Sequence, residues 1–448
     1  MKGKPFRPYL LAAVLVVLLL LPHLFFFNNG YVDVEPYYVQ SASDIAEHGA
    51  QANLSEYFTR IANPALTSLI LSASYKLFGE SPAISRMTIF LLSFLFSIFL
   101  YFYLKKKEGV FIAFVSSLLV IVNPFFIVYS QYVMSDAPFL AFSSVSLLLL
   151  LYASSSKSEI VSSATLGISL ATKYVAVILF PVVFIYSLLK NKVMTQFTKT
   201  RLLSVVRFNL WYFALTLLVS VPVVVIAFNF ISSLRSPKYE STIVLDASSF
   251  LPHLFAYLLW LGLFIGPFFL IFVLDLWKRI GTIKSLTLIV GLVAFTLIVS
   301  LFFPISTLHV QQGYFGEMNL SWLESVVPAP YLSIALFLVL LVAEFFVAHL
   351  TLDLMQTTDN KARTLFFWII IPIVLMSFTR AANRYLLTIL VPLSLYGALV
   401  AKRVFSGHAR DFVIIVLVIH ALIFVSVGFY SNYYLQQRGL AASIEIQK

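Results

Sequence analysis

Apolar runs of about twenty residues recur along the whole chain, and they restrict its fold more than any other feature. A helix needs roughly 20 apolar residues to cross the hydrocarbon layer of a bilayer, and every backbone polar group in that layer must be paired within the protein. A transmembrane barrel would show strict alternation of polar and apolar residues, which Ala141–Leu151 lacks. With 60% hydrophobic and 11% charged residues, the chain is predicted to be an all-α polytopic membrane protein.

The apolar pattern predicts thirteen transmembrane helices in a single transmembrane domain over residues 1–448, without a soluble C-terminal domain. Residues 160–189 are predicted to form two short helices that meet near Lys173, because one long helix would place the basic segment Lys190–Arg207 on the outer face. The predicted helices lie at about residues 9–27, 85–104, 109–128, 137–153, 160–172, 173–189, 207–231, 252–276, 285–303, 331–350, 364–378, 385–401 and 411–431.

Basic residues follow the ends of alternate helices, and this bias sets the predicted orientation. The predicted inner segments hold most of the 30 lysine and arginine residues, whereas most acids fall in the predicted outer segments. The N-terminus is therefore predicted in the cytoplasm, as a retained anchor, and the C-terminus outside. The same bias accounts for the net charge of +11, so no nucleic-acid partner is expected. The absence of cysteine excludes disulfides, thiolate zinc sites and a cysteine nucleophile.

Three predicted outer segments are long enough to hold a functional site, at residues 28–85, 231–251 and 304–330. The first contains the amphipathic Tyr37–Ala50 and the short apolar Pro64–Phe78. Both are expected to be helices that lie at the outer interface of the membrane.

Acidic residues at the outer face are the first candidates for chemistry. Asp33 and Glu35 follow the first predicted helix, and they are either solvated loop residues or a general base beside a membrane-held substrate. Asp136 precedes an apolar helix and either complements the helix dipole or faces the same cavity as Asp33 and Glu35. In the second case it would bind a sugar, a metal ion or a catalytic partner.

Basic residues in apolar or outer sequence are the candidates for binding a phosphate. Lys173 lies within apolar sequence, where a lysine is costly. Arg380 and Arg384 fall on the predicted outer side, against the charge bias, and arginine binds phosphate through a bidentate fork. Arg60 and Arg86 are weaker candidates for binding a phosphate. Snorkelling of the long side chains to the interface is the alternative in each case.

Metal binding is a further open assignment. His309 and Glu317 in the third outer segment are candidate ligands, and so is Asp136, which leaves a divalent metal ion as an unsettled cofactor. Glu344 is the one acid well inside a predicted helix, and the sequence does not reveal its partner.

Four short stretches occur in a recognisable order along the chain: Asp33–Gly49, Asn63–Arg86, Ser135–Pro138 and Gly167–Pro181. Together they resemble the GT-C class of integral-membrane glycosyltransferases, and most closely the group of protein O-mannosyltransferases and lipid A aminoarabinose transferases. The resemblance implies a sugar donor carried on a polyprenyl phosphate lipid and an acceptor hydroxyl on a protein, lipid or glycan. It also implies a multi-pass protein of the cell membrane, surrounded by membrane lipids, with its active site outside.

The acidic stretch departs from the family pattern. Family members carry an adjacent Asp-Glu pair, followed after two residues by His, Arg or Tyr. Glu35 and Tyr38 fit the second half of that pattern, whereas Val34 occupies the Asp position and Asp33 stands one residue early. The resemblance therefore implies that Asp33 or Glu35 is the general base, without deciding between them.

The stretch that commonly carries a lysine in the aminoarabinose group is also altered. Asn63–Leu66 stands where Lys-Pro-Pro-Leu is common, so the phosphate contact shifts to Arg60, Lys173 or Arg384. Lys173 and Arg384 are the first choices for the phosphate, with Arg380 as a further contact. Asp136 and Tyr38 complete the implied substrate-binding residues.

Two other functional classes compete with the transferase. A transporter or lipid flippase also needs many helices and a few buried charges, but transporters usually bind their substrate at the midplane between repeats. Here the charges gather at one face and no repeat is visible. The third alternative is a non-catalytic subunit in which the acids are merely solvated.

Overall fold

The computed structural model describes most of the chain, and every regular element in the described part is helical. The chain divides into two compact units, residues 1–243 with 424–448, and residues 244–423. Each unit is described by itself. The described residues are 8–24, 26–27, 31, 35–52, 64–226, 250–302, 329–378, 386–407, 409–410, 413–422 and 425–426.

The first unit contains ten described α-helices and two 3₁₀ segments, Gly49–Gln51 after the second α-helix and Tyr174–Leu179 between the eighth and the ninth. The helices are α1 (Pro8–His23), α2 (Glu35–His48), α3 (Leu66–Phe78), α4 (Pro82–Glu108), α5 (Val110–Ile121), α6 (Pro124–Gln131), α7 (Asp136–Leu151), α8 (Ser156–Thr172), α9 (Phe180–Lys190) and α10 (Lys199–Ile226).

The second unit contains seven described helices. They are α11 (Phe250–Ile265), α12 (Phe269–Ile280), α13 (Thr282–Phe302), α14 (Ala329–Gln356), α15 (Asn360–Ser377), α16 (Leu387–Val404) and α17 (Val413–Leu422).

Helices able to span a membrane are present among the described residues. Five of the described helices are long and apolar enough to cross a bilayer, and two bent helix pairs raise the number to seven. The described residues therefore leave the predicted count of thirteen unconfirmed. The two short helices expected in the first outer segment are present as α2 and α3, and the break expected at Lys173 is present between α8 and the 3₁₀ segment Tyr174–Leu179.

The stretch predicted as one helix over residues 109–128 is instead two helices, α5 and α6, whose axes differ by 61°. Asn123 lies between them in an extended conformation, as expected for a residue before proline. Pro124 cannot donate a backbone hydrogen bond to the preceding turn. The Asn123 side chain accepts from the N–H of Phe125 and caps the new helix. The bend directs the chain toward the segment Tyr132–Asp136.

Hydroxyl groups join three helices of the first unit. Ser162 on α8 bonds to the backbone oxygen of Ser146 on α7, and the Tyr212 hydroxyl on α10 lies 2.7 Å from Ser162 Oγ. Ser163 Oγ donates to the backbone oxygen of Tyr212 at 2.6 Å. Between membrane helices such bonds and close backbone approach supply association that apolar contact alone does not. Gly167 permits the approach, since a Cβ there would lie 2.5 Å from the Thr216 backbone oxygen.

The core of the second unit is aromatic around Phe272 of α12. Its ring lies 5.0 Å from that of Phe346 on α14 and 6.0 Å from that of Tyr396 on α16. All three side chains are buried. The contacts fix three helices against one another beside a group of charged residues described below.

Candidate functional site

The first residue of α2, Glu35, is fully buried and anchored by both carboxylate oxygens. Arg86 Nη2 donates to Glu35 Oε2 at 3.0 Å, and the backbone N–H of Val133 donates to Glu35 Oε1 at 2.7 Å. Charge-assisted bonds of this kind are stronger than neutral ones. The start of α2 is therefore fixed to α4 and to the segment that precedes α7.

Arg86 also contacts the end of the first membrane helix. Its Nη1 donates to the backbone oxygen of Phe26 at 2.7 Å. One guanidinium thus contacts Phe26 on one side of residues 28–34 and Glu35 on the other. Asp33 belongs to that stretch and lies outside the described residues.

A second link joins α2 to the same turn. Tyr38, one helical turn after Glu35, donates its hydroxyl to Ser135 Oγ at 3.0 Å. Asp136 follows Ser135 directly and begins α7. Glu35, Tyr38 and Asp136, three of the residues predicted from sequence, are therefore brought together around the turn Tyr132–Asp136.

Lys173 is ion-paired with Asp136, and both side chains are buried. Lys173 ends α8 in an extended conformation, and the chain continues as a 3₁₀ segment. The break carries its side chain to the N-terminal end of α7. A buried ion pair of this kind is strongly sensitive to loss of one partner, because the other charge is then stranded.

Tyrosine hydroxyls complete the polar surroundings of Arg86. Tyr31 and Tyr75 both bond to Ser85 Oγ, at 2.9 Å and 2.6 Å. Burial raises the pKa of Tyr31 and that of Tyr75 above the usual value, so both phenols are neutral at physiological pH. They supply hydrogen bonds without adding charge to the site.

The described residues do not fit a divalent metal ion. None of the acids and histidines in the described ranges form a group of three or more that could hold a metal. The Asp136 carboxylate, one of the three metal candidates, contacts the Lys173 ammonium. The other two candidates, His309 and Glu317, lie outside the described residues, as do Arg60, Arg380 and Arg384.

Arg86 is the member of the site that was hardest to predict from the sequence. Its position near the start of an apolar helix was the available indication. A buried arginine in such a helix is costly unless the side chain has a partner. Its partner is Glu35, 51 positions earlier, and sequence spacing alone does not reveal such a distant pair.

The second unit contains a cluster of charged residues whose mutual contacts the sequence does not predict. Arg403 Nη1 and Nη2 donate to the two oxygens of Asp353, each at 3.1 Å, and Tyr396 donates to Asp353 Oδ2 at 2.8 Å. Asp275 lies 2.9 Å from His349 Nε2. The cluster consists of Asp275, Arg279, His349, Asp353, Tyr396 and Arg403.

Comparison with known proteins places this geometry in context. The family profile described as dolichyl-phosphate-mannose-protein mannosyltransferase matches residues 6–234, about half of the chain. That stretch includes Glu35, Tyr38, Arg86, Asp136 and Lys173. No curated protein sequence matches the chain significantly.

Two solved structures share the fold. The first is ArnT from Cupriavidus metallidurans bound to undecaprenyl phosphate, with a TM-score of 0.52 and 14% identity, covering 91% of this chain and 62% of that one. The second is the archaeal oligosaccharyltransferase AglB from Archaeoglobus fulgidus, in complex with an inhibitory peptide and a dolichol-phosphate. Its TM-score is 0.51 at 14% identity, and the match covers 97% of this chain and 56% of that one. The chain spans less than two thirds of the length of either structure.

Proposed function

This chain belongs to the dolichyl-phosphate-mannose-protein mannosyltransferase family, and from that membership we propose that it transfers a sugar from a polyprenyl phosphate carrier to a hydroxyl group. The acceptor is a protein, lipid or glycan at the outer face of the cell membrane. Support comes from the two structural neighbours, whose bound lipids are undecaprenyl phosphate and a dolichol-phosphate. The chain is an integral membrane protein, with its N-terminus inside and its C-terminus outside in this proposal.

The observation that carries the proposal is the buried polar arrangement at the start of α2. Glu35, Arg86, Asp136 and Lys173 are all buried, and all lie within the stretch matched by the family profile. Buried charges are costly in a membrane protein and are usually retained for a function. The arrangement offers carboxylates, a guanidinium and an ammonium around one turn of the chain.

Asp33 is the proposed general base, and Glu35 is the proposed anchor of the acidic stretch. The Glu35 carboxylate is fully buried, and its two oxygens are held by Arg86 and by the N–H of Val133, so it fits an anchoring role better than contact with an acceptor hydroxyl. Asp33 stands two residues earlier, between the two contacts that Arg86 makes with the chain. In this proposal the rigid Arg86–Glu35 pair holds the stretch that presents the base.

The reaction inverts the configuration of the sugar. The acceptor oxygen attacks the anomeric carbon, its proton passes to Asp33, and the bond between the anomeric carbon and the phosphate oxygen breaks. The electron pair of that bond leaves with the polyprenyl phosphate. Removal of one preorganised contact to developing charge typically costs about 2.7–4 kcal/mol of transition-state stabilisation.

Lys173 is the proposed cation for the leaving phosphate. Asp136 orients the Lys173 ammonium through the ion pair. When the donor binds, the ammonium exchanges part of its contact with Asp136 for a contact with the phosphate. Arg60, Arg380 and Arg384 remain proposed additional phosphate contacts, and Tyr38 a substrate contact.

Transfer of label from a radiolabelled polyprenyl-phosphate sugar tests the proposal. The purified protein in lipid is given the carrier with and without mixed membrane acceptors, and the variants Asp33→Asn, Glu35→Gln and Asp136→Asn are compared with Glu47→Gln, an exposed acid of α2. Label is expected to move to an acceptor with the wild type and Glu47→Gln, and transfer is expected to be lost with Asp33→Asn. Full transfer by all three site variants would contradict the proposal. Movement of the carrier across the bilayer without transfer would favour a flippase instead.

A further inference from the structure

Six acidic side chains are buried in the described part of the chain, and five of them have a basic partner. These five pairs or groups are Glu35 with Arg86, Asp136 with Lys173, Glu159 with Lys190, Asp275 with Arg279, His349 and Arg403, and Asp353 with Arg279 and Arg403. The sixth is Glu344, on α14. It has no salt bridge to any described residue.

Glu344 lies in the middle of α14, a helix long and apolar enough to cross the membrane. Its side chain is buried, with 7% exposed. The hydroxyl oxygen of Thr296 on α13 lies 2.5 Å from Glu344 Oε2. The other oxygen, Oε1, has no hydrogen-bond partner among the residues that the structure describes.

No described charge compensates the Glu344 carboxyl. Among the described residues its hydrogen-bond partner is Thr296, and it forms no salt bridge with a described lysine, arginine or histidine. The other titratable groups named on α14, His349 and Asp353, are both hydrogen-bonded to Tyr396 within the charged cluster. The remaining titratable groups on the packed helices are His253 on α11, Asp275, Lys278 and Arg279 on α12, Lys284 on α13, and Lys361 and Arg363 on α15.

An ionised carboxylate in a low-dielectric interior is very costly without a cation or several donors, and such a group takes up a proton instead. We infer that Glu344 is a proton-binding site in the membrane interior of the second unit, and that it is a neutral carboxylic acid at neutral pH. In the neutral acid the proton resides on Oε2 and is donated to Thr296 Oγ1, whose own hydrogen is donated to the Leu292 backbone oxygen. Glu344 lies outside the stretch matched by the family profile, and no step of the proposed transfer reaction uses it.

A lipid-soluble carbodiimide reports directly on such a group. The O–H of a protonated carboxyl adds across one C=N bond of dicyclohexylcarbodiimide: the proton goes to nitrogen and the carboxyl oxygen bonds to the central carbon. The acyl group then migrates from oxygen to nitrogen and leaves a stable N-acylurea, so the protein gains the mass of one reagent molecule. Carboxylates paired with arginine or lysine are ionised and do not react in this way. Phe295, beside Thr296, is 53% exposed, so the lipid-facing side of α13 is open to the reagent.

The experiment uses the full chain in lipid, with peptide mass mapping after treatment with the carbodiimide. Wild type is expected to carry the adduct on Glu344 at neutral pH, with the yield falling at alkaline pH, and Glu344→Gln is expected to lose it. Glu159→Gln, which removes a paired acid, is the matched control and should leave labelling of Glu344 unchanged. In Thr296→Val the labelling should persist to higher pH, because the hydroxyl stabilises the ionised form.

Infrared absorption of the carboxyl provides a readout that does not depend on access of the reagent. A protonated C=O band is expected in the wild type and should be lost in Glu344→Gln, which keeps a neutral side chain of similar shape and should unfold at the same temperature. A carboxylate band lost in that variant, or equal labelling of Glu344 and the paired Glu35, would overturn the inference.

Discussion

Arg86 and Glu35 form a buried ion pair across 51 positions of the chain, with Nη2 and Oε2 3.0 Å apart. The pair joins the start of a short helix to the start of a membrane-spanning helix. Both side chains are almost fully removed from solvent, at 1% and 0% exposed. Because water cannot solvate either group, loss of one charge leaves the other buried without a partner.

Removal of Arg86 alone should destabilise the protein more than removal of both charges. Arg86→Met strands the Glu35 carboxylate, which is expected to lower the free energy of unfolding by about 3–5 kcal/mol. Adding Glu35→Gln should recover most of that loss, because the neutral amide still accepts from the Val133 N–H. Thermal unfolding in lipid or detergent measures the loss in the single variant and the recovery in the double variant. Lys106→Met, at an exposed lysine near the far end of α4, is the control. Strictly additive losses would show that the pair is not coupled.

The Lys173 ammonium should matter for transfer in addition to folding, so the transfer rate is measured per folded molecule, because Lys173→Gln also strands the buried Asp136 carboxylate. Lys173→Gln removes the proposed contact to the leaving phosphate and is expected to lower the transfer rate about 10²–10³-fold. Lys157→Gln, an exposed lysine at the start of α8, is expected to transfer at the wild-type rate. Label transfer from the carrier under saturating acceptor measures the difference. Equal rates for the two variants would remove Lys173 from the proposed reaction.

The sequence predicts the class of fold well, because hydrocarbon thickness and backbone pairing leave so few options. It also places α2 and α3 in the first outer segment and the break at Lys173, since charge bias and segment length act locally. Partners are harder to predict. Nothing in the spacing of Glu35 and Arg86 or of Asp136 and Lys173 indicates their contact, because it arises from packing between distant helices. The bend at Asn123 was missed although Pro124 signals it, since the apolar run continues through it.

Gly167 should be intolerant of the smallest side chain. A Cβ at this position would meet the Thr216 backbone oxygen at 2.5 Å, so Gly167→Ala must push α8 and α10 apart. Overpacking of this kind typically costs about 1–3 kcal/mol. Gly291→Ala is the matched control on another helix, where a Cβ has open space and alanine favours helix by about 1 kcal/mol. Thermal unfolding should therefore move in opposite directions for the two variants, and a loss of similar size in both would contradict the packing argument.

The charged cluster of the second unit should act as a structural brace. Asp353 accepts bonds from Arg279, Tyr396 and both Nη atoms of Arg403. Asp353→Asn is expected to lower the free energy of unfolding by about 1.5–3 kcal/mol, in the range for hydrogen bonds to charged groups. Asp44→Asn, in the exposed pair with His48, should cost no more than about 0.5 kcal/mol. Indistinguishable unfolding temperatures for the two variants would rule out a bracing role for the cluster.

The hydroxyl contacts among α7, α8 and α10 have a consequence for biosynthesis. Membrane helices enter the bilayer in chain order, and leucine side chains there distinguish poorly between a neighbouring helix and lipid tails. Ser146 and Ser162 are 16 positions apart, so their helices can pair as soon as both are inserted. Tyr212 arrives 50 positions after Ser162 and bonds to a hairpin that already exists. The hydroxyls thus identify the correct neighbour for each helix as it is added to the bundle.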